Sequence, residues 1–180
     1  GASSALLAAE TLLLIAGEAD ADLLGRVTPN MRNFMNDGTL KGAYGPRLSL
    51  QYFPFQQLIR RDPDTRQAIL QIWDHERDLD RPDVRDIPCT IFLHGTVRDG
   101  ELNLHTRMRS NDAYLGVTYD LGVFCGLQCS LAKALGLKVG SYYHHVTSMH
   151  LYERDADRAD ALEVNHSFIR QKLSGVAIAP

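Results

Sequence analysis

Cys89 stands directly after Pro88 at the head of an apolar run, where a thiol is one of the few side chains able to bond covalently to a substrate. A lone cysteine is more often a small buried hydrophobe, and its thiolate needs a cation nearby. Arg107 and Arg109 fall on the strand that would pair with the one Cys89 opens, so a hairpin would supply that cation. The same arginines would equally make a solvated strand face. Arg107-Met108-Arg109-Ser110-Asn111-Asp112 gathers cations, a hydroxyl and a carboxylate, and a guanidinium with a hydroxyl suits a phosphate. Glu10 is the one carboxylate in the apolar stretch Ala5 to Ile15, where burial without a partner would be costly. An exposed helix face would serve it as well. His144 and His150 share a strand face, but no third ligand with metal spacing accompanies them, so no metal is expected.

These residues need elements to hold them. Ala5 to Ile15 with Gly17 beyond reads as a helix with a glycine cap. Gly42 to Arg47 is rich in turn residues, and a helix is expected over Phe55 to Arg61, stopping at Asp62-Pro63-Asp64. Ala68 to Trp73, Pro88 to Val97 and Glu101 to Arg107 read as strands, the last two joined through Asp99-Gly100, a strong hairpin signal. Phe124, Leu127, Leu131 and Leu135 recur at helical spacing and place a buried helix over Asp120 to Leu135. Ser141 to Tyr152 reads as a strand and Ala156 to Leu173 as a polar helix. Helices, strands and an antiparallel hairpin together predict an α+β fold.

The 180 residues, 44% hydrophobic and 23% charged, suit a single domain over 1–180 with its own core. No apolar run is long enough to cross a bilayer, and the first residues lack the pattern of a secretory leader. Three cysteines, Cys89, Cys125 and Cys129, match neither a disulfide framework nor a zinc site. Cytoplasm is the expected location. A net charge of −3 with interspersed signs gives no footprint for bulk nucleic acid.

Taken in order, Pro88-Cys89, Arg109-Ser110-Asn111-Asp112, Leu115 to Asp120 and His150-Leu151-Tyr152 resemble the core of thymidylate synthase and its pyrimidine hydroxymethylase relatives. Ala8 to Gly17 resembles the family helix with its catalytic glutamate, Tyr44-Gly45-Pro46-Arg47 its tyrosine-glycine turn, and Asp62 to Arg66 the loop whose arginines cross the dimer. The resemblance implies a thymidylate synthase-like fold, a homodimer joined through its sheets with composite active sites, and 5,10-methylenetetrahydrofolate as cofactor. It implies that Cys89 adds to carbon 6 of a pyrimidine nucleotide, and that Glu10 and Tyr44 handle protons. Arg109, Ser110 and the partner's Arg66 would bind phosphate, Asp112 the folate, and His150 with Tyr152 the sugar hydroxyl.

Several positions depart from the family pattern. Thymidylate synthases carry asparagine where this chain has Asp120, and the same change marks the deoxycytidylate hydroxymethylases. A carboxylate can accept from the exocyclic amino group of cytosine and share a proton with the ring nitrogen. A helix N-terminus would also favour Asp120. Thr90 replaces a histidine, Gln67 a second cross-dimer arginine and Met108 a glutamine, and no counterpart of the family's N-terminal phosphate-binding segment precedes Glu10. The expected activity is 5-hydroxymethylation of dCMP or CMP. Thymidylate synthesis from dUMP is the alternative, and a nucleotide-binding dimer without activity a further one.

Overall fold

The computed structural model describes residues 3–27 and 29–160. Gly1–His150 forms one unit and Leu151–Pro180 a second.

In the first unit, α1 (Ser4–Ala16) starts on the Ser3 side chain, which accepts from the Leu6 amide, and ends on Gly17. It buries Leu6, Ala9 and Leu14. A short α2 (Ala21–Val27) and a 3-10 turn (Pro29–Phe34) follow. The turn-rich stretch at 42–47 is in fact the start of a helix, α3 (Tyr44–Leu48), so that expectation is corrected. Pro46 falls in its first turn, where a proline has no hydrogen bond to lose. α4 (Tyr52–Arg61) buries Phe55 and Ile59 and stops before Asp62-Pro63. α5 (His75–Asp78) is capped by Asp74.

Four strands form one sheet in the order β1 (Ile69–Gln71), β2 (Thr90–Arg98), β3 (Glu101–Asp112) and β4 (Lys138–His150). β1 with β2 and β2 with β3 are antiparallel, while β3 and β4 run parallel. Asp99 and Gly100 turn the hairpin at φ 53° and 74°, the left-handed pair that matches strand twist. A parallel neighbour needs a crossover, and α6 (Gly116–Leu135) supplies it. α6 starts four residues before the expected Asp120, because the Asp112 carboxylate accepts from the amides of Tyr114, Leu115 and Gly116 and caps the turn there. Leu93, Leu102 and Leu104 from the sheet meet Phe124 and Leu127 from α6 and Leu48 from α3 in a fully buried core. Gln128 is buried with them, its Nε2 within reach of the carbonyls of Leu102, Gly140 and Ser141 where the β3 to β4 register shifts.

The opposite sheet face presents Phe92, His94, His105, Tyr143 and His145, with His105 stacked on Tyr143 at 4.3 Å. In the second unit a 3-10 turn (Glu153–Asp155) leads into α7 (Ala156–Asp160), and Arg154 lies 4.4 Å above the Tyr152 ring. The rest of the polar helix expected to Leu173 lies outside the described residues. Among the described residues no helix is long and apolar enough to cross a membrane.

Candidate active site

A cleft of about 220 Å³ opens between α1, α3 and α6. Leu13, Leu14, Leu24 and Leu40 give it apolar walls, and Glu10, Glu18, Tyr44, Asp86 and Asp120 give it polar groups. Glu10 therefore faces this cleft and not an exposed helix surface. Its carboxylate has no hydrogen-bond partner among the described residues, and burial pushes it up to about 7. Asp120 sits one turn into α6, so the cap is Asp112 and the Asp120 side chain is left for the cleft. Burial, then the nearby Glu10, push Asp120 up to about 7 against a lowering hydrogen bond from Asn111. Two interacting carboxylates in one cleft cannot both ionise freely, which leaves one proton to exchange near neutral pH.

Tyr44 is fixed from two sides. Its ring stacks on Phe124 at 6.1 Å, and its hydroxyl accepts from the Thr90 hydroxyl at 3.2 Å and the Thr90 amide at 3.4 Å. The phenol keeps its proton, since burial raises its proton affinity. Thr90, at the family's histidine position, is thus the support of Tyr44, and Met108 is a core side chain.

Cys89 lies just before β2, its carbonyl accepting from the Arg109 amide at 2.9 Å. The Arg109 side chain folds back, Nε to the Pro88 carbonyl at 2.9 Å and Nη2 to the Ile87 carbonyl at 3.1 Å. The hairpin thus brings Arg109 to Cys89. Burial raises the thiol, Arg109 lowers it, and Asp120 and Asp86 raise it again, so the net direction is up. The resting group is a thiol. Asp86 was not anticipated from sequence: it accepts from the Gly42 amide at 2.9 Å, and a side chain at Gly42 would strike it. The only signal was its place three residues before Cys89.

Ser110 Oγ lies 3.3 Å from His150 Nδ1 across the parallel β3 and β4 ends. His150 and His144 do not converge, because His144 faces Asn111 and Tyr142. Arg66 is exposed in the loop before β1 and does not line the cleft. Tyr152 belongs to the second unit.

A phenol and two proton-holding carboxylates line one cleft, and the Cys89 thiol, which is not part of its lining, lies near Tyr44, Asp86 and Asp120; together they make a site for nucleophilic and acid-base chemistry. The family model described as thymidylate synthase matches residues 51–172, and the chain belongs to the thymidylate synthase family. It is 36% identical over 164 residues to a deoxyuridylate hydroxymethyltransferase of Bacillus phage SP01, covering 82% of this chain and 43% of that protein. A deoxyuridylate hydroxymethyltransferase of Pseudomonas phage M6 is 30% identical over 152 residues, covering 80% and 43%. The thymidylate synthase of Bacillus licheniformis is 29% identical over 152 residues, covering 77% and 53%. The chain thus spans about half the length of these relatives or less. The solved thermostable thymidylate synthase A from Bacillus subtilis overlays with a TM-score of 0.74 at 23% identity, over 88% of this chain and 61% of that one, and so shares the α+β fold.

Proposed function

We propose that the protein is a (deoxy)cytidylate 5-hydroxymethylase working as a homodimer. The observation that carries this reading is Asp120, a carboxyl group with raised proton affinity inside the cleft, at the family's base-reading position. As carboxylate it accepts from the cytosine amino group, and as acid it donates to the ring nitrogen. The Cys89 sulfur adds to carbon 6 as its proton leaves, and the electron pair moves to carbon 5. Arg109 favours the thiolate, and its Nη1 with the Ser110 hydroxyl remains for the nucleotide phosphate.

Methylenetetrahydrofolate, when bound, supplies the one-carbon unit at the oxidation level of formaldehyde. Leucines together with Glu18 and Asp86 in the cleft lining would suit a flat ring edged with N–H donors, with Asp112 at the turn before α6. Tyr44 accepts two hydrogen bonds from Thr90, which leaves its own proton to give near carbon 5. Glu10 holds water and takes up a proton. Once carbon 5 has taken up the one-carbon unit, with both C–N bonds to the folate nitrogens broken and the carbon-5 proton passed to a carboxylate, water would add to the exocyclic methylene and lose a proton, the Cys89–carbon 6 bond would break to restore the ring double bond, and the two protons released would end on the folate nitrogens. No hydride is needed, so tetrahydrofolate leaves unoxidised. His150 and Tyr152 bind the sugar hydroxyl, and Arg66 acts across the dimer.

A second reading, hydroxymethylation of deoxyuridylate, is favoured by the names of the two phage relatives. Asp120→Asn separates the two. Under the cytidylate reading the substitution lowers kcat/KM on cytidylate relative to uridylate by roughly ten- to a hundredfold, since one buried group is left unpaired on the wrong edge. An unchanged ratio with unchanged stability returns Asp120 to structure.

A further inference from the structure

On the sheet face turned away from α6, six side chains form a grid of two rows across β2, β3 and β4. Register sets His94 opposite His105 and His105 opposite Tyr143 in one row, and Phe92 opposite Arg107 and Arg107 opposite His145 in the other. Residues two apart on a strand share a face, which brings the rows side by side. The ring geometry agrees: His94 and His145 lie 6.1 and 6.0 Å from His105, and Tyr143 stacks on it at 4.3 Å. Five of the six line a shallow depression of about 440 Å³.

Its charge has one sign. Among the described residues no carboxylate lines the depression, and Glu101, outward on β3, stands four residues beyond His105 beside Arg98 at the hairpin end. On the other flank β1 adds Ile69 and Gln71, and Arg109, next outward on β3, is turned to the Pro88 and Ile87 carbonyls. Neither Arg107 nor any of the three imidazoles has a hydrogen bond or ion pair among the described residues, and His94 Nε2 is buried without one. Like groups directly opposite on neighbouring strands destabilise a sheet, so this face carries a cost that a counter-charge would relieve. Burial, then His94 and His145, hold the His105 imidazole below its ordinary value, which leaves it able to take up a proton when an anion arrives.

We propose that this grid is a second anion site, taking a dianionic oxyanion of the phosphate class: the Arg107 fork binds two oxygens, His105 and His145 donate N–H groups to the others, and His94 adds positive charge. The site lies outside the cleft of Glu10, Tyr44 and Asp120 and does not depend on the cytidylate reading. Were two subunits to pair through this face, their clusters would meet and the same anion would neutralise both.

The test is nitrogen-15 NMR of the histidine side chains of the intact protein, with signals assigned through His94→Gln, His105→Gln and His145→Gln. Sodium sulfate is the first probe, because it stays a dianion over the range in which imidazoles titrate. Against sodium chloride of equal ionic strength, sulfate should raise the midpoints of His105 and His145 by about one pH unit, while the exposed His75 on α5 stays in place. Arg107→Gln should weaken sulfate binding about tenfold, and wild-type binding should be about tenfold tighter at pH 6 than at pH 8, since it takes up a proton. Inorganic phosphate and dCMP, added separately, then identify the source: a His105 shift with phosphate alone marks the free ion, and a shift with dCMP as well marks a monoester. Binding at the nucleotide phosphate site is read separately at His150, 3.3 Å from Ser110, so failure there and failure here are distinguishable. Equal movement of His75, the same midpoints in chloride, pH-independent affinity, or undiminished binding by Arg107→Gln would overturn the site. A response to sulfate without one to phosphate marks an adventitious ion only and overturns it too.

Discussion

Among the described residues Glu10 has no counter-charge, so the fold carries its ionisation as a cost. It titrates at about 7 in the native state against an ordinary value of 4.5, and Asp120 is raised likewise. A group raised in the folded state contributes stability that is full below its unfolded pKa and is lost as pH rises through its folded one. Wild-type stability should therefore fall between about pH 4.5 and 7. Glu10→Gln should remove part of that loss, on the order of 2–3 kcal/mol, so that the variant is less active yet more stable than wild type at pH 8. Thermal unfolding across pH measures this, and parallel curves for the two proteins would contradict it. Cys89→Ala should abolish carbon-5 exchange and product while nucleotide binding, followed by calorimetry, persists, because covalent activation is lost and the phosphate site is not. Retained turnover would remove the mechanism. Cys89, Glu10 and Tyr44 were legible in sequence because ordered motifs surround them. Asp86 and the facing of His144 toward Asn111 were not, since both depend on contacts between distant segments.

At the scale of elements, α3 is the piece that presents Tyr44, and one ion pair ties it down. Arg47 grips Asp78 of α5 with Nη1 at 2.6 Å and Nη2 at 2.8 Å, and also donates to the carbonyls of Ile72 and Lys41. Both partners are nearly buried, at 7% and 1% side-chain exposure. Burial is the largest single influence on the Asp78 carboxyl and raises it, but the Arg47 hydrogen bond, the Asp74 amide and the charges of Arg47 and Arg77 together outweigh it, so the net direction is down. Removing one partner strands the other charge, so Arg47→Met should cost about 3–5 kcal/mol in chemical denaturation, with Asp78→Leu added to it recovering much of the loss. A cost below about 1 kcal/mol would show that the pair does not hold α3. Turn-forming residues masked this helix in the sequence, because Gly45 and Pro46 are poor helix formers and tertiary contacts decide their conformation. The β2 to β3 hairpin was legible because Asp99-Gly100 encodes its own turn. Residues 110–112 were not legible as strand because their partners come from β4, which is distant in sequence.

On the scale of the whole molecule, the sheet face opposite α6 carries stacked rings, and Arg66 is exposed away from the cleft, as a group serving a second subunit would be. Arg66→Ala and Cys89→Ala should each be inactive alone and regain activity on mixing under subunit exchange, since one site of a heterodimer would hold both groups. No recovery between variants shown to exchange would sink the composite site. The proposed reaction is read from the release of tritium from carbon 5 of labelled dCMP, CMP and dUMP with methylenetetrahydrofolate, while absorbance follows dihydrofolate. Release from a cytidylate well above that from dUMP is expected, with 5-hydroxymethyl product and no rise in dihydrofolate. Release from dUMP alone, with dihydrofolate formed in equal amount, would contradict it.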